Sequence, residues 1–548
     1  MSGLIYPVHR WFYAILLGLC PFFFFFYGLG SFGLLNNNEG LYGEIAREML
    51  GASFKDWIIP RLNGVSYIEK PPLLYWLTAF SFKIFGISEW SARLPPAFSG
   101  LITTLALMYF LYKLQIQRLI FSATLMLSSC LGYVIFSRML FFEGLLTAFV
   151  SLSLLSFYLW WEKDKLSWIR LSYFFVGCAS LTKGLVAPLI LLGCVSVFFV
   201  VERPSWDKIK RFLDPLGLGI FLLVFMPWPI LAQWYEPNFF SFYFINEHIL
   251  RFLDLREPRD YYRGPFYYYL PRILGYVFPW TPFLGLLCVR AKEKDPSLLS
   301  LKRFLTIWIM VPLIFYSVSR AKANYYMIIA IIPFVLLVSI KIQQLISEKR
   351  EIFLIGASVI SACLALGIFL GPLFFETYLS FSILFLGIFM LGTLFFFWGV
   401  RLKKTRMNWL FVYGAFISGM VLLFILKDAQ ILEKDPRMTL KNITQNLKNK
   451  KIKDIYFYKN FEEMSSFVFY LKHPVVLVDS VSADLFYASQ QPQFQRRFVR
   501  SEDLILNRHD YVIVHGKSKE SFDHSPLQNK TSQIYDGGGI FIYQGNGS

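Results

Sequence analysis

The sequence predicts a polytopic α-helical membrane protein that ends in a soluble α/β domain. Of its 548 residues, 56% are hydrophobic and only 16% are charged, whereas an ordinary soluble domain is about 25% charged. Apolar runs of roughly 20 residues, long enough to cross a hydrocarbon core, recur throughout residues 1–428. Residues 429–548 then have the composition of a soluble chain. These three observations predict a transmembrane domain followed by a smaller water-exposed one.

Hydropathy and loop charge together predict about thirteen transmembrane helices. They are predicted at 11–30, 92–112, 118–137, 140–161, 168–183, 184–201, 213–233, 264–289, 303–319, 323–340, 352–373, 379–400 and 408–426. Alternate loops are rich in Lys and Arg, which predicts a cytoplasmic amino terminus. Because these loops hold most of the basic residues, the net charge of +18 does not predict a nucleic-acid partner. The six cysteines fall inside apolar runs without metal-ligand spacing, which is typical of small buried hydrophobes.

Two long polar loops, 31–91 and 234–263, are predicted on the extracytoplasmic side of the transmembrane domain 1–428. Both are too charged to cross a bilayer, and both are rich in Tyr, Trp and Phe, as expected at a water–lipid boundary. Within the first loop, the stretch from Pro71 to Phe85 is apolar but short. It predicts a helix that lies on the membrane surface.

The carboxy-terminal domain, 429–548, follows an odd number of spans and is therefore also predicted outside the cytoplasm. Short apolar runs typical of strands alternate with helix-like stretches, which predicts a small α/β domain. The strand-like runs are Asp454–Tyr458, Val475–Val478, Tyr511–Val514 and Ile540–Tyr543, and the helix-like stretches are Leu440–Asn449 and Phe461–Leu471. The three glycines at 537–539 predict a turn.

The first candidate functional residue is Glu39, for which two interpretations stand. An acid in the first turn of a helix is explained by the helix dipole alone. However, Asn36–Asn38 already offer capping side chains, which leaves a functional role open for Glu39. Glu44 is typical of a solvated helical face in the same segment.

Lys70 is the second candidate, because it directly precedes Pro71 and Pro72. The double proline fixes the backbone and starts a helix at a defined point. A cation beside a helix amino terminus predicts a phosphate-binding site. The alternative is a lysine that reaches lipid headgroups, with Glu69 as its ionic partner.

Further ionisable residues fall at predicted outer turns or in the second loop. Charged groups at membrane depth are costly and are functional candidates by default, with anchoring at the interface as the alternative. These candidates are Arg138, Glu143, Lys183, Lys322 (followed by Tyr325 and Tyr326), His248 and Arg251. His248 is a candidate metal ligand or a hydrogen-bonded interface residue, and Arg251 is a candidate phosphate-binding cation.

The residue inventory favours a lipid-linked substrate. No Ser–His–Asp spacing, Walker loop or GxGxxG motif carries weight in this sequence, so no nucleotide cofactor is predicted. The extracytoplasmic face lacks ATP and nucleotide sugars, which makes a lipid-borne activated donor the logical substrate. A phosphate leaving group needs cations, and an acceptor needs a carboxylate to take its proton or orient it. The candidates for this chemistry are Glu39, Glu69, Glu143, Lys70, Lys183 and Arg251.

Several motifs carry a resemblance to a known family. They are NEGLYGEIAREML…DWIIPRLNGVSYIEKPPLLYW, SRMLFFEGLLTAF, ASLTKGLVAPLI, NEHILRFL…RGPFYYYLP…FPW and SRAKANYYMIIAIIP. In this order, across the whole membrane part, they resemble the protein mannosyltransferase-like superfamily, and within it the lipid A 4-amino-4-deoxy-L-arabinose transferases. The resemblance implies a GT-C fold with thirteen transmembrane helices, surface helices and a periplasmic α/β domain.

The resemblance also implies roles for individual residues. Lys70 and Arg251 would hold the donor phosphate, with Tyr67 and Tyr326 beside it. Glu69 and His248 would line a site for a divalent metal such as zinc. Where the family usually has Asp-Glu, this chain has Asn38-Glu39, and Asn cannot act as a general base. The base role is therefore assigned to Glu39, with Glu143 as the next candidate.

The expected function is an inner-membrane glycosyltransferase that moves a sugar from undecaprenyl phosphate to lipid A phosphate on the periplasmic face. A second hypothesis keeps this enzyme class but changes the acceptor to protein Ser or Thr or to another surface glycan. A third hypothesis is a transporter of lipid-linked precursors, which predicts mid-span charges and an inverted repeat. Neither feature is present in the sequence, so the transferase is favoured.

Overall fold

The computed structural model describes most of the chain. The described residues are 7–258, 263–290, 295–350, 352–370, 388, 393, 406–432, 435–436, 438–448, 450–480 and 482–547. The chain forms two compact units. The first, here called the helical unit, comprises Met1–Tyr27, Pro96–Phe225 and Tyr261–Ile425, and the second, here called the mixed unit, comprises Gly28–Pro95, Met226–Asp260 and Leu426–Ser548.

Helices dominate the chain, as the apolar runs predict. The α-helices, in chain order, are Pro7–Phe26, Asn38–Glu48, Phe54–Ile58, Leu73–Phe85, Glu89–Lys113, Ile120–Ser129, Leu131–Phe136, Phe142–Lys163, Leu166–Lys183, Val186–Glu202, Trp206–Phe212, Pro215–Phe225, Pro227–Tyr235, Tyr269–Tyr276, Thr281–Leu284, Pro296–Val318, Ile331–Ser347, Ile352–Leu370, Arg406–Leu432, Lys441–Lys448, Ser466–Leu471, Phe486–Ser489 and Lys519–Asp523, with a π-helix at Ser241–Leu250. The helix Leu73–Phe85 begins directly after Pro72, as the double proline predicts.

Among the described residues, five helical segments are long and apolar enough to cross a membrane. They are Glu89–Lys113, Phe142–Lys163, Trp206–Tyr235, Pro296–Val318 and Tyr326–Ser347, and each coincides with a predicted span. The predicted number of thirteen is not confirmed by length and composition. Other predicted spans coincide with shorter apolar helices such as Val186–Glu202 and Ile352–Gly367. The predicted span 379–400 lies outside the described residues, apart from 388 and 393.

Two predicted spans are interrupted, and both interruptions have a local cause. In 118–137, the backbone of Cys130 is extended (φ −66°, ψ 114°), and the amide of Leu131 donates to the carbonyl of Phe278 at 2.9 Å. In 264–289, the helix Tyr269–Tyr276 ends just before Phe278. Phe278 precedes Pro279, and a residue before proline disfavours the helical region. Hydropathy alone detects neither break.

The mixed unit contains a short hairpin, β1 (Arg61–Leu62) with β2 (Val65–Ser66), and a larger mixed sheet. The described strands of that sheet are β3 (Ile455–Tyr458), β4 (Val476–Val478), β5 (Phe498–Val499), β6 (Tyr511–His515), β7 (Thr531–Gly537) and β8 (Ile540–Gly545). Their spatial order is β5-β4-β3-β6-β8-β7. Strands β5, β4, β3 and β6 run parallel, and β8 pairs antiparallel with both β6 and β7.

The sheet confirms the strand-like runs that the sequence predicts. Every residue of β3 and β6 is buried, which explains why these central strands are continuous apolar runs rather than alternating ones. Gly538 and Gly539 have φ values of 56° and 72°, and they form the tight turn between β7 and β8. Strands β5 and β7 are not predicted, because β5 has only two residues and the middle of β7 is polar and exposed.

Polar bonds join distant parts of the sequence within the mixed unit. Asn36 donates to the carbonyl of Pro436 and accepts from the hydroxyl of Ser466 at 2.6 Å. Asn63 donates to the carbonyl of Val475 at 2.8 Å and accepts from its amide at 2.7 Å. The segment 429–548 is therefore packed with the two polar loops in one compact unit, whereas the sequence predicts that those loops belong with the transmembrane domain.

Candidate active site

Glu39 and Arg93 form a fully buried ion pair within the mixed unit. The side chain of Glu39 is 0% exposed and that of Arg93 is 1% exposed. Arg93 donates from Nε to Oε1 of Glu39 at 2.8 Å and from Nη2 to Oε2 at 2.6 Å. Its remaining contacts go to the carbonyl oxygens of Leu29, Phe32 and Gly33, at 2.8, 2.9 and 3.0 Å. The amide of Leu35 also donates to Oε2 of Glu39 at 3.1 Å.

This geometry is unsuited to the general-base role predicted for Glu39. Both carboxylate oxygens accept hydrogen bonds from Arg93, and the side chain has no exposed surface. A general base must come within hydrogen-bond reach of the proton that it removes. Glu39 instead ties the start of the helix Asn38–Glu48 to Arg93, and Arg93 ties down the chain that precedes this helix. The residue therefore has a structural explanation.

Lys70 lies in an aromatic setting next to the same helix. Its Nζ donates to the hydroxyl of Tyr42 at 2.9 Å and to that of Tyr67 at 3.3 Å, and it lies 4.9 Å from the centre of the Tyr42 ring. Tyr42 donates in turn to Oδ1 of Asn38 at 2.9 Å. Tyr67 is buried, whereas Lys70 keeps part of its surface exposed. Lys70 is thus a cation with two hydrogen bonds to phenol oxygens.

Glu69 and Glu247 share one arginine that the sequence analysis does not single out. Arg256 is 7% exposed and donates to Glu247 at 2.7 Å and to Glu69 at 3.1 Å. Arg251 also donates to Glu247, at 3.3 Å, and is 32% exposed. The pKa of Glu247 is raised to about 7. Burial is the main cause, Glu69 adds to it, and the two arginines oppose it. The predicted phosphate-binding residue Arg251 thus belongs to a network that includes Glu69, the neighbour of Lys70 in the sequence.

Asp484, from the carboxy-terminal segment, interacts electrostatically with Glu69 and Lys70. The pKa of Asp484 is raised to about 8, mainly by burial and then by the charge of Glu69, against an opposing effect of Lys70. Asp484 in turn acts on the phenols of Tyr67 and Tyr75. Its side chain keeps part of its surface exposed. Lys70, Glu69 and Asp484 therefore lie in one neighbourhood of the mixed unit, hereafter called the Lys70 cluster together with Glu247, Arg251 and Arg256.

The residues predicted to hold a divalent metal, Glu69 and His248, both have partners within the protein. Nδ1 of His248 lies 2.7 Å from the carbonyl oxygen of Tyr243, while Glu69 is paired with Arg256. Burial lowers the pKa of His248, so its ring is neutral. In the described part of the chain, no group of three or more His, Cys, Asp or Glu side chains could hold a metal ion. A site formed by Glu69, His248 and oxygens of the donor phosphate stays a prediction, and no chemical step is derived through it.

Glu44, predicted as a supporting residue, forms a bidentate pair with Arg47 one helical turn away, both distances being 2.6 Å. Glu44 is buried rather than solvated, contrary to the prediction of a solvated face, and Arg47 is 21% exposed. Burial and the nearby charge of Glu44 raise the pKa of Glu48 to about 8. Glu48 accepts from the amide of Gly64 at 3.1 Å, which connects this helix to the β1–β2 turn.

The helical unit contains a second polar group around Glu143. Lys183 forms an ion pair with Glu143, and the two side chains are 17% and 6% exposed. Nζ of Lys183 also lies 4.5 Å from the centre of the Tyr326 ring and 5.3 Å from that of Tyr325. The ring of Tyr326 packs against Tyr316, 4.7 Å away. Within this unit, the structure brings together three residues that the sequence singles out from three distant motifs.

Arg138 and Lys322 are the other predicted supporting residues of the helical unit. Both donate hydrogen bonds to backbone carbonyls. Arg138 is 5% exposed and donates to the carbonyl of Phe24 at 2.7 Å and to that of Tyr27. Lys322 is 3% exposed and donates to the carbonyls of Tyr316 and Ser317 at 2.8 and 2.7 Å. Their burial and their carbonyl contacts favour a structural role.

The sequence analysis does not single out Arg93, Arg256 or Asp484. One signal could have identified Arg93, because it lies inside the predicted span 92–112, where an ionisable residue needs a partner. Arg256 and Asp484 give no comparable signal, since charged residues are common in polar segments. Only the fold brings these three residues beside the predicted ones.

The fold of this chain is similar to that of two solved structures. The structure superposes on the crystal structure of ArnT from Cupriavidus metallidurans bound to undecaprenyl phosphate with a TM-score of 0.81, at 22% sequence identity and over 97% of both chains. It also superposes on the archaeal oligosaccharyltransferase AglB from Archaeoglobus fulgidus, with a TM-score of 0.52, at 11% identity, over 99% of this chain and 75% of AglB. The chain therefore has the GT-C fold that the resemblance predicts.

Sequence comparison identifies a matching family model and named relatives. The family model for dolichyl-phosphate-mannose-protein mannosyltransferases matches residues 69–231. The chain is 30% identical over 339 residues to an undecaprenyl phosphate-alpha-4-amino-4-deoxy-L-arabinose arabinosyl transferase from Aeromonas salmonicida, and 28% identical over 356 residues to one from Serratia proteamaculans. The first alignment covers 60% of this chain and 60% of the relative, and the second covers 63% and 62%. These matches confirm the predicted resemblance to the aminoarabinose transferases.

Proposed function

We propose that this protein is a multi-pass membrane glycosyltransferase that moves 4-amino-4-deoxy-L-arabinose from undecaprenyl phosphate to a phosphate of lipid A. The observation that carries the proposal is the Lys70 cluster, which contains an ammonium bonded to two phenols and, through Glu69, Arg256 and Glu247, the guanidinium of Arg251. Such an arrangement suits a lipid-linked phosphate. The named relatives and the likeness to ArnT support the choice of lipid carrier and sugar.

The proposed reaction exchanges one phosphate ester for another. A phosphate oxygen of the acceptor attacks the anomeric carbon of the sugar, and the bond from that carbon to undecaprenyl phosphate breaks. The bonding electrons leave with the undecaprenyl phosphate. Negative charge therefore accumulates on the leaving phosphate, where Lys70 and Arg251 stabilise it. A positioned cation lowers the barrier because it costs no reorganisation during the reaction.

The state of the Asn38–Glu39 pair supports a phosphate acceptor. Asn38 cannot take a proton, and Glu39 is held by Arg93. A phosphate monoester, with its second pKa near 6, is already ionised at neutral pH, so it needs no general base in order to attack. A protein hydroxyl would need one. The lack of an available carboxylate at positions 38 and 39 thus favours a phosphate acceptor.

Glu143 remains the carboxylate proposed to orient the acceptor, with Lys183 and Tyr326 as its supports. Glu143 pairs with Lys183, whose ammonium lies beside the rings of Tyr325 and Tyr326. In the proposed topology, the amino terminus is cytoplasmic, and the polar loops and the carboxy-terminal segment are periplasmic. Alternating Lys- and Arg-rich loops support this orientation.

Reconstituted enzyme tests the proposal. Wild-type protein in liposomes should convert lipid A in the presence of aminoarabinosyl undecaprenyl phosphate, with the product identified by mass spectrometry. Lys70→Met should raise the KM for the donor at least about 10-fold, since it removes one charge-assisted contact. Lys83→Met, which changes an exposed lysine in the nearby helix Leu73–Phe85, is the matched control and should behave as wild type. A wild-type protein that turns over no polyprenyl-linked sugar would refute the enzyme class.

A protein acceptor is the second candidate, favoured by the match of residues 69–231 to a model named for protein mannosyltransferases. The same reconstitution separates the two acceptors when a Ser- and Thr-rich peptide replaces lipid A. Glycosylated peptide without modified lipid A would select the protein acceptor.

A further inference from the structure

Asp484 is held in a defined position by the carboxylate of Glu462. Oε1 of Glu462 accepts from the hydroxyl of Ser482 and the amide of Ala483, both at 2.6 Å, and it lies 3.5 Å from the amide of Asp484. These contacts fix the start of the 3₁₀ turn Ala483–Leu485. The backbone under Asp484 is therefore well determined.

A second set of contacts attaches the same segment to the polar loops of the mixed unit. Tyr487 and Gln491 donate to Oε2 of Glu236 at 3.2 and 3.1 Å, and Ser66 donates to Oε1 of Glu236 at 3.0 Å. Ser66 directly precedes Tyr67. The carboxy-terminal segment is thus joined to the loop that contains Glu69 and Lys70, which agrees with the electrostatic influence of both residues on Asp484.

Asp484 differs from the other carboxylates of the cluster in its partners. Glu69 and Glu247 both pair with Arg256. Among the described residues, no hydrogen bond or ion pair to the side chain of Asp484 is present, although part of this side chain is exposed. A carboxylate in such a place is costly unless a cation or a donor completes it. The ligand is the remaining source of such a group.

The charges of the cluster match those of an amino-sugar donor. Three carboxyl groups (Glu69, Glu247 and Asp484) lie among three cations (Lys70, Arg251 and Arg256), so the cluster is formally neutral. A donor with one phosphodiester and one ammonium group is neutral as well, and it brings an anion for the cations and a cation for the carboxylates. A donor with an uncharged sugar brings only the anion, and Asp484 then has no cation beyond those already in the cluster, Lys70 and Arg256.

We propose that Asp484 is a specificity-determining residue that binds the ammonium group of a 4-amino sugar on the lipid-linked donor. This inference rests on the proposed transferase function and assigns the sugar contact to the carboxy-terminal segment. The raised pKa of Asp484 agrees with it, because burial and Glu69 disfavour the charged form until a cation arrives. A site that is built for a charged nitrogen rejects the analogue that lacks it, because its buried group is then left unpaired.

A pair of donors tests the inference: undecaprenyl phosphate carrying 4-amino-4-deoxy-L-arabinose, and its analogue with a hydroxyl at carbon 4. Both are assayed with lipid A and reconstituted full-length protein. Wild type should prefer the amino donor in kcat/KM. Asp484→Asn should lower kcat/KM for the amino donor about 10- to 100-fold, the range for a hydrogen bond to a charged group, and leave the hydroxyl donor unchanged. Asp503→Asn, at an exposed position, is the control and should not change either value.

The other outcomes distinguish a wrong role for Asp484 from a wrong transferase function. Equal losses with both donors, or no loss with either, overturn the assignment of Asp484 while turnover by wild type keeps the transferase function. A wild-type preference for the hydroxyl donor also overturns it. Turnover of neither donor by wild type overturns the proposed function and this inference with it. Partial recovery of the amino-donor preference in Asp484→Glu supports a direct contact, because the charge is restored at a longer reach.

Discussion

Replacing Glu39 by glutamine removes the negative charge from the buried pair with Arg93 and keeps the volume of the side chain. The charge of Arg93 then remains at 1% exposure, with three carbonyl contacts but no counter-ion. Removing one partner of a buried ion pair costs about 3–5 kcal/mol. Whole domains are stable by only about 5–15 kcal/mol, so Glu39→Gln should markedly lower the thermal stability of the purified protein.

The assay is thermal unfolding in detergent or nanodiscs, followed by turnover measured at a temperature where the variant is folded. Glu44→Gln is the matched control, because Glu44 lies in the same helix, is equally buried and also pairs with an arginine. Arg47, its partner, is 21% exposed and can be solvated when the pair is broken. The charge of Glu44 also contributes to the raised pKa of Glu48, and Glu44→Gln removes this effect. Glu44→Gln should therefore destabilise the protein much less than Glu39→Gln.

The two explanations of Glu39 predict opposite results. If the residue holds the fold, stability falls steeply and the folded fraction of the variant retains turnover. If it is a general base, stability is unchanged and turnover falls by about 10²–10⁴-fold. The second result would refute the structural reading of the pair with Arg93.

Two further predictions concern other charged groups. Lys183→Met removes the ionic partner of Glu143, which is 6% exposed, so it should cost about 3–5 kcal/mol in stability; adding Glu143→Gln should restore the melting temperature but not the turnover, and recovery of both would show that the pair is only structural. The folded-state pKa of Asp484, about 8, lies above the unfolded value of about 3.9, so its contribution to stability is present below pH 4 and is lost as the pH rises through 8. Relative to wild type, Asp484→Asn should therefore melt at a progressively higher temperature from pH 5 to pH 9, whereas an unchanged difference across this range would contradict the raised pKa.

Sequence patterns predict the elements of this protein that depend on neighbouring residues in the chain. The central strands β3 and β6 are apolar because both faces are buried, so composition is sufficient to find them. The helix Leu73–Phe85 follows from the double proline that precedes it. Lys70 could be singled out because it lies just before the start of that helix. Its hydrogen bonds to Tyr42 and Tyr67 hold the ammonium in a defined position.

The remaining features depend on contacts between residues far apart in the sequence. The partner of Glu39 is Arg93, 54 residues away, so no local pattern separates a buried pair from a catalytic acid. The break at Cys130 depends on the hydrogen bond from the amide of Leu131 to the carbonyl of Phe278, 147 residues further on. Asp484 joins the Lys70 cluster from the opposite end of the chain. Sequence analysis can name such residues as polar, but only the fold says which charges meet.

The bonds of Asn36 and Asn63 have a consequence for biosynthesis. Their partners Pro436, Ser466 and Val475 lie 400, 430 and 412 residues later in the chain. A segment that emerges early from the ribosome must therefore wait until residue 475 has been translated before both asparagines have these partners. A chain that stops before residue 436 would lack all three bonds, so the folding of the early segment depends on a late one.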